Sequence, residues 1–152
     1  DEAAAALRHI LPADAIGRVE HYGSTAIPGM AAKPVIDILV EVKSFELARQ
    51  KILPIMIDPA CEYWWHSGHI ILIRRKVPGG VRTHHYHFAP ASHPIWQGLD
   101  FRDHLRHNPE DAKAYAELKH RLADTFAQDR ERYTQAKTQF ISDIHRRISG
   151  FA

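Results

Sequence analysis

Residues able to do chemistry concentrate in two stretches of this 152-residue chain. The first is HYGSTAIPGMAAKPVIDILVEV, His21 to Val42. Here Gly23, Ser24 and Thr25 precede Lys33 and a lone carboxylate, Asp37, set between Val35, Ile36 and Ile38, Leu39, Val40. Backbone N–H groups of a glycine-containing loop, helped by Ser and Thr hydroxyls, can hold phosphate oxygens, and the missing side chain of glycine permits close approach. Lys33 would add a positive charge, and Asp37, across from the loop, is suited to hold Mg²⁺ on the same phosphates. Taken singly these features are bland. A Gly-Ser pair is most often a plain turn, and an acid in a strand is often structural; buried without partners, it protonates.

The second stretch is RTHHYHF, Arg82 to Phe88. In a strand, His85 and His87 point to one face while His84 and Tyr86 point to the other. Two imidazoles at i and i+2 can ligate one metal ion or flank a phosphate. Imidazole suits Zn, Ni, Cu or Fe better than Mg, and it can also act as an acid or base near its unperturbed pKa of about 6.5. His84 reads as structural. His21 sits just before the loop and has the weaker claim of a strand-end histidine. His66 and His69, in WWHSGH, have no evident partner in the sequence and are read as structural.

The elements that must position these groups are legible from periodicity and turn residues. EAAAALRHIL, from Glu2, reads as a short helix closed by Pro12. Strands are expected at 18–22, 34–42, 63–65, 69–75 and 81–88. The second of these is apolar on both faces and therefore central. A helix is expected from Phe45 to Leu53, limited by Pro54. Pro78-Gly79-Gly80 is the strongest turn signal. After Pro94 the chain becomes helical: a short helix at 101–107, then a helix with Asn108 as N-cap, Pro109 in its first turn and a stripe of Ala112, Tyr115, Leu118, Leu122 and Phe126. A last helix carries Tyr133, Ala136, Phe140, Ile141, Ile144 and Ile148, with Gly150 as its stop. The layout predicts one α+β domain spanning 1–152, with a sheet core over about 15–90 and helices over about 95–150.

Composition bounds the function. A formal charge of +2 does not suit a general nucleic-acid binder. The single cysteine, Cys61, excludes an intramolecular disulfide and fits a reducing compartment. No apolar run reaches the roughly 18–20 residues that span a membrane, and no signal-peptide pattern is present. The cytoplasm is therefore the expected location. Asp1 stands where a start Met would be, which leaves room for a preceding element.

The string HYGSTAIPGMAAKPVIDILV closely resembles the signature of the GrpB family, a bacterial branch of the nucleotidyltransferase-like superfamily. The resemblance continues through RTHHYHF, FRDHLRHNPEDAKAYAELKHRLA and RERYTQAKTQFISDI, covering the chain from about His21 to Ile148. It implies a nucleotidyltransferase-like mixed β-sheet flanked by helices, with a C-terminal helical cap, and a nucleoside-triphosphate pocket where the loop meets the acidic strand. Gly23 and Ser24 match the superfamily's Gly-Ser motif, and Asp37 its first metal-binding acid. His87, with His85, falls where a third acid is often found. Arg102, Lys119 and Lys137 occupy positions that the family pattern shares. Lys119 and Lys137 border apolar stripes, from which they would either reach a triphosphate or snorkel to water, and Arg102 would offer the triphosphate a bidentate fork. Similar domains are appended to some bacterial dephospho-CoA kinases, where an accessory role is implied.

One departure decides how far the resemblance carries. Active nucleotidyltransferases usually bear a second acid two residues after the first, and here that position is Leu39. Glu41 shares the face but is displaced by roughly 6–7 Å along a strand, whereas two-metal chemistry needs ions about 3.5–4 Å apart bridged by acids. Three readings follow. One is an enzyme transferring a nucleotidyl or phosphoryl group, with Mg or Mn at Asp37 and Asp37 and His87 as its catalytic residues. Another is a non-catalytic nucleotide- or phosphate-binding module. The third is a metal-dependent phosphohydrolase with a transition ion on Asp37, His85 and His87. The expected partner is a nucleoside triphosphate or another phosphorylated small molecule, with neither nucleic acid nor membrane. The sequence does not specify an oligomeric state.

Overall fold

The structure is a computed structural model that describes residues 2–30 and 34–148. It has two compact units, Asp1–Ala26 with Ala32–Trp96, and Ile27–Ala31 with Gln97–Ala152. Lys33 and Gly150 lie outside the described residues.

The first unit is a mixed five-stranded sheet: β1 (Ile16–Tyr22), β2 (Ile36–Val42), β3 (Cys61–His66), β4 (His69–Arg75) and β5 (Arg82–Ala89), in the order β1-β2-β5-β4-β3. Only the β2–β5 pair is parallel; its neighbours are antiparallel. β2 lies inside the sheet, as its apolar run predicts. Ile38, Leu39 and Val40 are all buried, so both of its faces are covered. One face of the sheet packs Ile38, Val40, Ile70, Leu72 and Phe88 into a core with Ala4 and Leu7 of α1 (Glu2–Ile10) and with Ile52, Leu53 and Met56. The opposite face carries Asp37, Leu39, His85, His87 and His69, as the two-residue alternation requires.

Tight turns join β3 to β4 and β4 to β5, and the second ladder shifts by one residue between Arg74 and Arg75, just beyond its turn. Gly79 takes φ +73 behind Pro78, and the Gly80 N–H donates to the Val77 carbonyl at 2.9 Å, the layout of a type II turn. Ser67 and Gly68 both have positive φ, as a two-residue hairpin of the primed class demands.

The helix expected to stop before Pro54 instead runs on. An α turn at Phe45–Leu47 (α2), capped by Ser44 Oγ, widens into a π turn at Ala48–Ile52 and resumes as Leu53–Met56 (α3). Pro54 has no N–H to give and its ring crowds the carbonyl four residues back. In the first turn of α3 that loss is harmless, and the widened turn before it resets the winding.

The second unit contains α4 (Gly98–His107), α5 (Pro109–Thr125) and α6 (Arg130–Ile148), with Phe101, Leu105, Tyr115, Ile144 and Ile27 at its core. Phe101 meets Tyr115 edge-on, and Tyr115 stacks on Phe140. Asn108 does not cap α5 with its side chain. Its Nδ2 donates backward to the His104 carbonyl at 2.7 Å, closing the end of α4. The expected stripe on α5 holds at Tyr115 and Leu122, both buried. None of the helices among the described residues is long and apolar enough to cross a membrane.

Phe88 is fully buried at the centre of the first core. Phe88→Ala should cost about 3–5 kcal/mol in denaturant unfolding. Val81→Ala, at a position 69% exposed, should stay within about 0.5 kcal/mol.

Candidate functional site

The antiparallel register pairs Tyr22 with Asp37, so the chain leaving β1 emerges beside the carboxylate. Gly23 follows at φ +77, and a 3₁₀ turn, Ser24–Ala26, closes with the Ala26 N–H on the Gly23 carbonyl at 3.0 Å. Any Cβ at position 23 would lie 2.8 Å from Asp37 Oδ2. Glycine is thus required twice, by its backbone angle and by the closeness of the acid. Thr25 is already engaged: its Oγ1 lies 2.8 Å from His21 Nε2. His21 therefore braces the loop.

On the other side of Asp37 stands His85. The parallel β2–β5 register pairs the two residues, and His85 Nδ1 lies 3.2 Å from Asp37 Oδ1. The two carboxylate oxygens are thus divided, Oδ1 toward an imidazole and Oδ2 toward the glycine loop. Among the described residues, the buried His85 Nε2 has no hydrogen-bond partner. A polar atom in that condition carries a desolvation cost that a bound ligand would relieve.

The next row across the same face holds Leu39 and His87, which are also register partners. Leu39 is completely buried, so the position of the second acid is filled with hydrocarbon. His87 does not approach Asp37 as His85 does. Its Nδ1 lies 3.1 Å from His69 Nε2, its ring stacks on that of His69, and Tyr22 meets it edge-on. Burial, reinforced by His69, pushes the His87 pKa down to about 4. Burial also raises the Tyr22 hydroxyl, with the Asp37 charge adding to it. His69, read from sequence as a residue without a partner, is buried; its pKa is lowered by burial and then by His93. His93 Nε2 lies 2.6 Å from the Ser67 carbonyl, and its Nδ1 accepts from the Ile95 N–H, so the ring is held at both nitrogens.

Glu41 belongs to a different construction. It pairs with Arg18 at 2.6 Å, and Arg18 lies over the Trp96 ring at 4.0 Å. Gly17 is kept bare beneath it, since a Cβ there would run into the Glu41 carboxylate. In the second unit, Arg102 is buried and pairs with Asp103. Lys119 lies 5.3 Å from the centre of the Tyr115 ring, and burial and then the neighbouring Lys137 lower its pKa. Asp37, His85, Gly23 and Ser24 thus share one place in the sheet unit, while Arg102, Lys119 and Lys137 belong to the helical one.

A glycine loop, an acidic strand and a histidine strand in this order form the layout that the sequence resemblance implies. The GrpB protein family profile matches residues 1–147. The chain belongs to the GrpB family. The crystal structure of conserved protein GrpB from Enterococcus faecalis is similar at a TM-score of 0.73 and 36% identity, covering 97% of this chain and 88% of that one. A UPF0157 protein of Pseudomonas aeruginosa is 37% identical over 145 residues, 93% of this chain and 59% of its own length. A dephospho-CoA kinase of Mycobacterium leprae is 30% identical over 159 residues, 86% of this chain but 38% of the kinase. The chain therefore spans only part of both of these relatives.

Within this GrpB domain the described His, Cys, Asp and Glu side chains do not gather in any group of three or more that could hold a metal ion. The site residues found by sequence were those near in sequence to a motif. His69 and His93 were not, because their contacts come through strand pairing and a loop return. Counting back from the Pro78-Gly79-Gly80 turn would have put His69 on the face of Phe88, because a register shift between Arg74 and Arg75, which the sequence does not announce, moves the pairing by one residue and sets Ile71 opposite His87.

The folded pKa of His87 lies below its ordinary 6.5, so the unfolded chain binds the proton more readily. The stability this contributes is fully present above about pH 6.5 and is lost as pH falls toward 4, by up to about 1.4 kcal/mol per pH unit. Thermal unfolding between pH 8 and 4.5 should show Tm falling below that point. His87→Asn should reduce the slope, and an NMR titration should place the His87 midpoint well under 6.

Proposed function

We propose that this domain binds a phosphorylated small molecule, with a nucleoside triphosphate as the type case, at the Gly23–Ser24 loop and Asp37, as a binding module rather than a two-metal transferase. The observation that carries the reading is the bare approach of Gly23 to Asp37 Oδ2, which sets loop backbone and carboxylate beside each other with no side chain between them. Backbone N–H groups of such a loop suit phosphate oxygens, and Ser24 stands at its start.

One Mg²⁺ or Mn²⁺ fits this chemistry. Magnesium is commonly held by one or two carboxylates plus substrate phosphates and water, and Asp37 offers one carboxylate, with Oδ1 already toward His85. A divalent ion bound there would neutralise phosphate charge and hold the phosphate chain against the loop. A second ion has no acid to hold it, since Leu39 fills that row. The residues fit a transition ion on Asp37, His85 and His87 together poorly, because His87 Nδ1 is turned to His69 and the described residues gather no group of three or more possible ligands. His85 Nε2, buried without a hydrogen-bond partner among the described residues, would be satisfied by a ligand oxygen or hydroxyl. The likeness to part of a dephospho-CoA kinase supports an accessory role beside a kinase.

Calorimetry with ATP, GTP, CTP and UTP, each with Mg²⁺, tests the reading. At least one should bind, and Asp37→Asn and Gly23→Ala should each weaken it about tenfold or more, a loss of roughly 1.4 kcal/mol. Gly23→Ala should also lower Tm, since left-handed backbone costs a non-glycine residue about 1–2 kcal/mol. Absence of binding to all four, or binding indifferent to Asp37→Asn, would overturn the proposal. Multi-turnover transfer of a labelled nucleotide would replace the binding module with an enzyme.

A further inference from the structure

The largest anomaly outside the site is the edge strand β3. Tyr63, Trp64 and Trp65 are 50%, 40% and 53% exposed, three successive aromatic residues on a strand that pairs only with β4. Edge strands are ordinarily blunted by lysine, proline, a bulge or a covering segment. CEYWWH contains neither lysine nor proline, and its register with β4 is unbroken.

The two-residue hairpin at Ser67-Gly68 makes His66 and His69 the hydrogen-bonded pair next to the turn. Alternation then points the backbone groups of Glu62, Trp64 and His66 toward β4 and those of Tyr63 and Trp65 outward. Among the described residues, no backbone hydrogen bond outside the sheet ladder engages Tyr63 or Trp65.

From this pattern we infer that β3 is a homodimer edge, on which a second copy of this chain adds antiparallel to form a continuous ten-stranded sheet. The strand is complementary to itself in one register. With the two-fold axis at Trp64, Tyr63 and Trp65 of one copy exchange backbone hydrogen bonds with Trp65 and Tyr63 of the other. Trp64 meets its own equivalent in the closer, non-hydrogen-bonded pair, and Glu62 falls opposite His66. Every cross-strand pair is aromatic with aromatic or acid with imidazole, and no like charges face each other. A shift of one residue would oppose hydrogen-bonding groups to the wrong edge.

The area suits a reversible dimer. A wholly buried aromatic residue covers about 150–250 Å², so covering the half-exposed rings removes on the order of 100 Å² from each, near 600 Å² over both copies. Backbone, Glu62 and His66 bring the total toward the roughly 1,200 Å² at which specific interfaces begin. A partner of other sequence would lack the aromatic and Glu–His matching in both directions, which is why the second copy is favoured.

Sedimentation velocity across micromolar to several hundred micromolar chain tests the inference. A concentration-dependent monomer–dimer equilibrium is expected. Trp64→Lys, which sets two ammonium groups on the axis, should weaken it by more than about tenfold at unchanged circular dichroism. The register is read separately in a Cys61→Ala background. There Trp64→Cys should form an interchain disulfide on mild oxidation, because that pair's Cα atoms stand about 4.5 Å apart, whereas Trp65→Cys should not. A chain that stays monomeric throughout, or a dimer indifferent to Trp64→Lys, would overturn the inference. Equal cross-linking at positions 64 and 65 would do the same, and monomeric behaviour would leave a different protein's strand as the occupant of the edge.

Discussion

Gly23 pressed against Asp37 is the contact on which the rest of the sheet unit depends. It is fixed by two registers at once, the antiparallel pairing of Tyr22 with Asp37 and the parallel pairing of Asp37 with His85. The first brings the loop to the carboxylate, and the second brings an imidazole to its other oxygen. A slip of one residue in either pairing would turn the acid or the histidine to the opposite face, into the apolar core. That core is filled by Ile38, Val40 and Phe88, none of which could be exchanged for a charge at tolerable cost. The hydrophobic pattern of β2 and β5 thus positions the polar groups by leaving them one face only.

The same geometry limits the chemistry. Asp37 is accompanied on its strand by Leu39, which is buried, and by Glu41, which is held by Arg18 away from the loop. One carboxylate with a single neighbouring imidazole suits the holding of a phosphate chain with one ion. It does not supply the acids that hold two ions in line. His87, the other expected site histidine, is occupied by His69 and depressed in pKa by burial, which makes it a poor cation at neutral pH. Its place is in a stacked imidazole cluster that joins β5 to β4 and, through His93, to the hairpin carbonyl of Ser67.

Much of this was legible from sequence because it is local. The apolar run around Asp37, the alternation of RTHHYHF and the Pro78-Gly79-Gly80 turn each follow from two-residue periodicity or from the backbone freedom of a particular residue. The mixed α+β sheet and its helical continuation follow from the order of those patterns and from the GrpB resemblance. What escaped was non-local or compensated. Pro54 reads as a helix stop unless the preceding turn is known to widen. Asn108 reads as a cap for α5, yet its side chain finds the nearer carbonyl of His104. The choice of His85 over His87 beside Asp37 depends on a parallel register that no turn links directly, and His69 and His93 reach the cluster from separate elements.

The most direct measurement of the central claim is an ¹⁵N NMR titration of the backbone amides with Mg²⁺ and tripolyphosphate or a nucleoside triphosphate. Saturable shifts should centre on the amides of Gly23, Ser24 and Thr25 and on the His85 ring, and should be lost in Asp37→Asn. Binding that leaves those amides unmoved, with shifts centred elsewhere in the chain, would contradict the placement of the phosphate site between the glycine loop and Asp37.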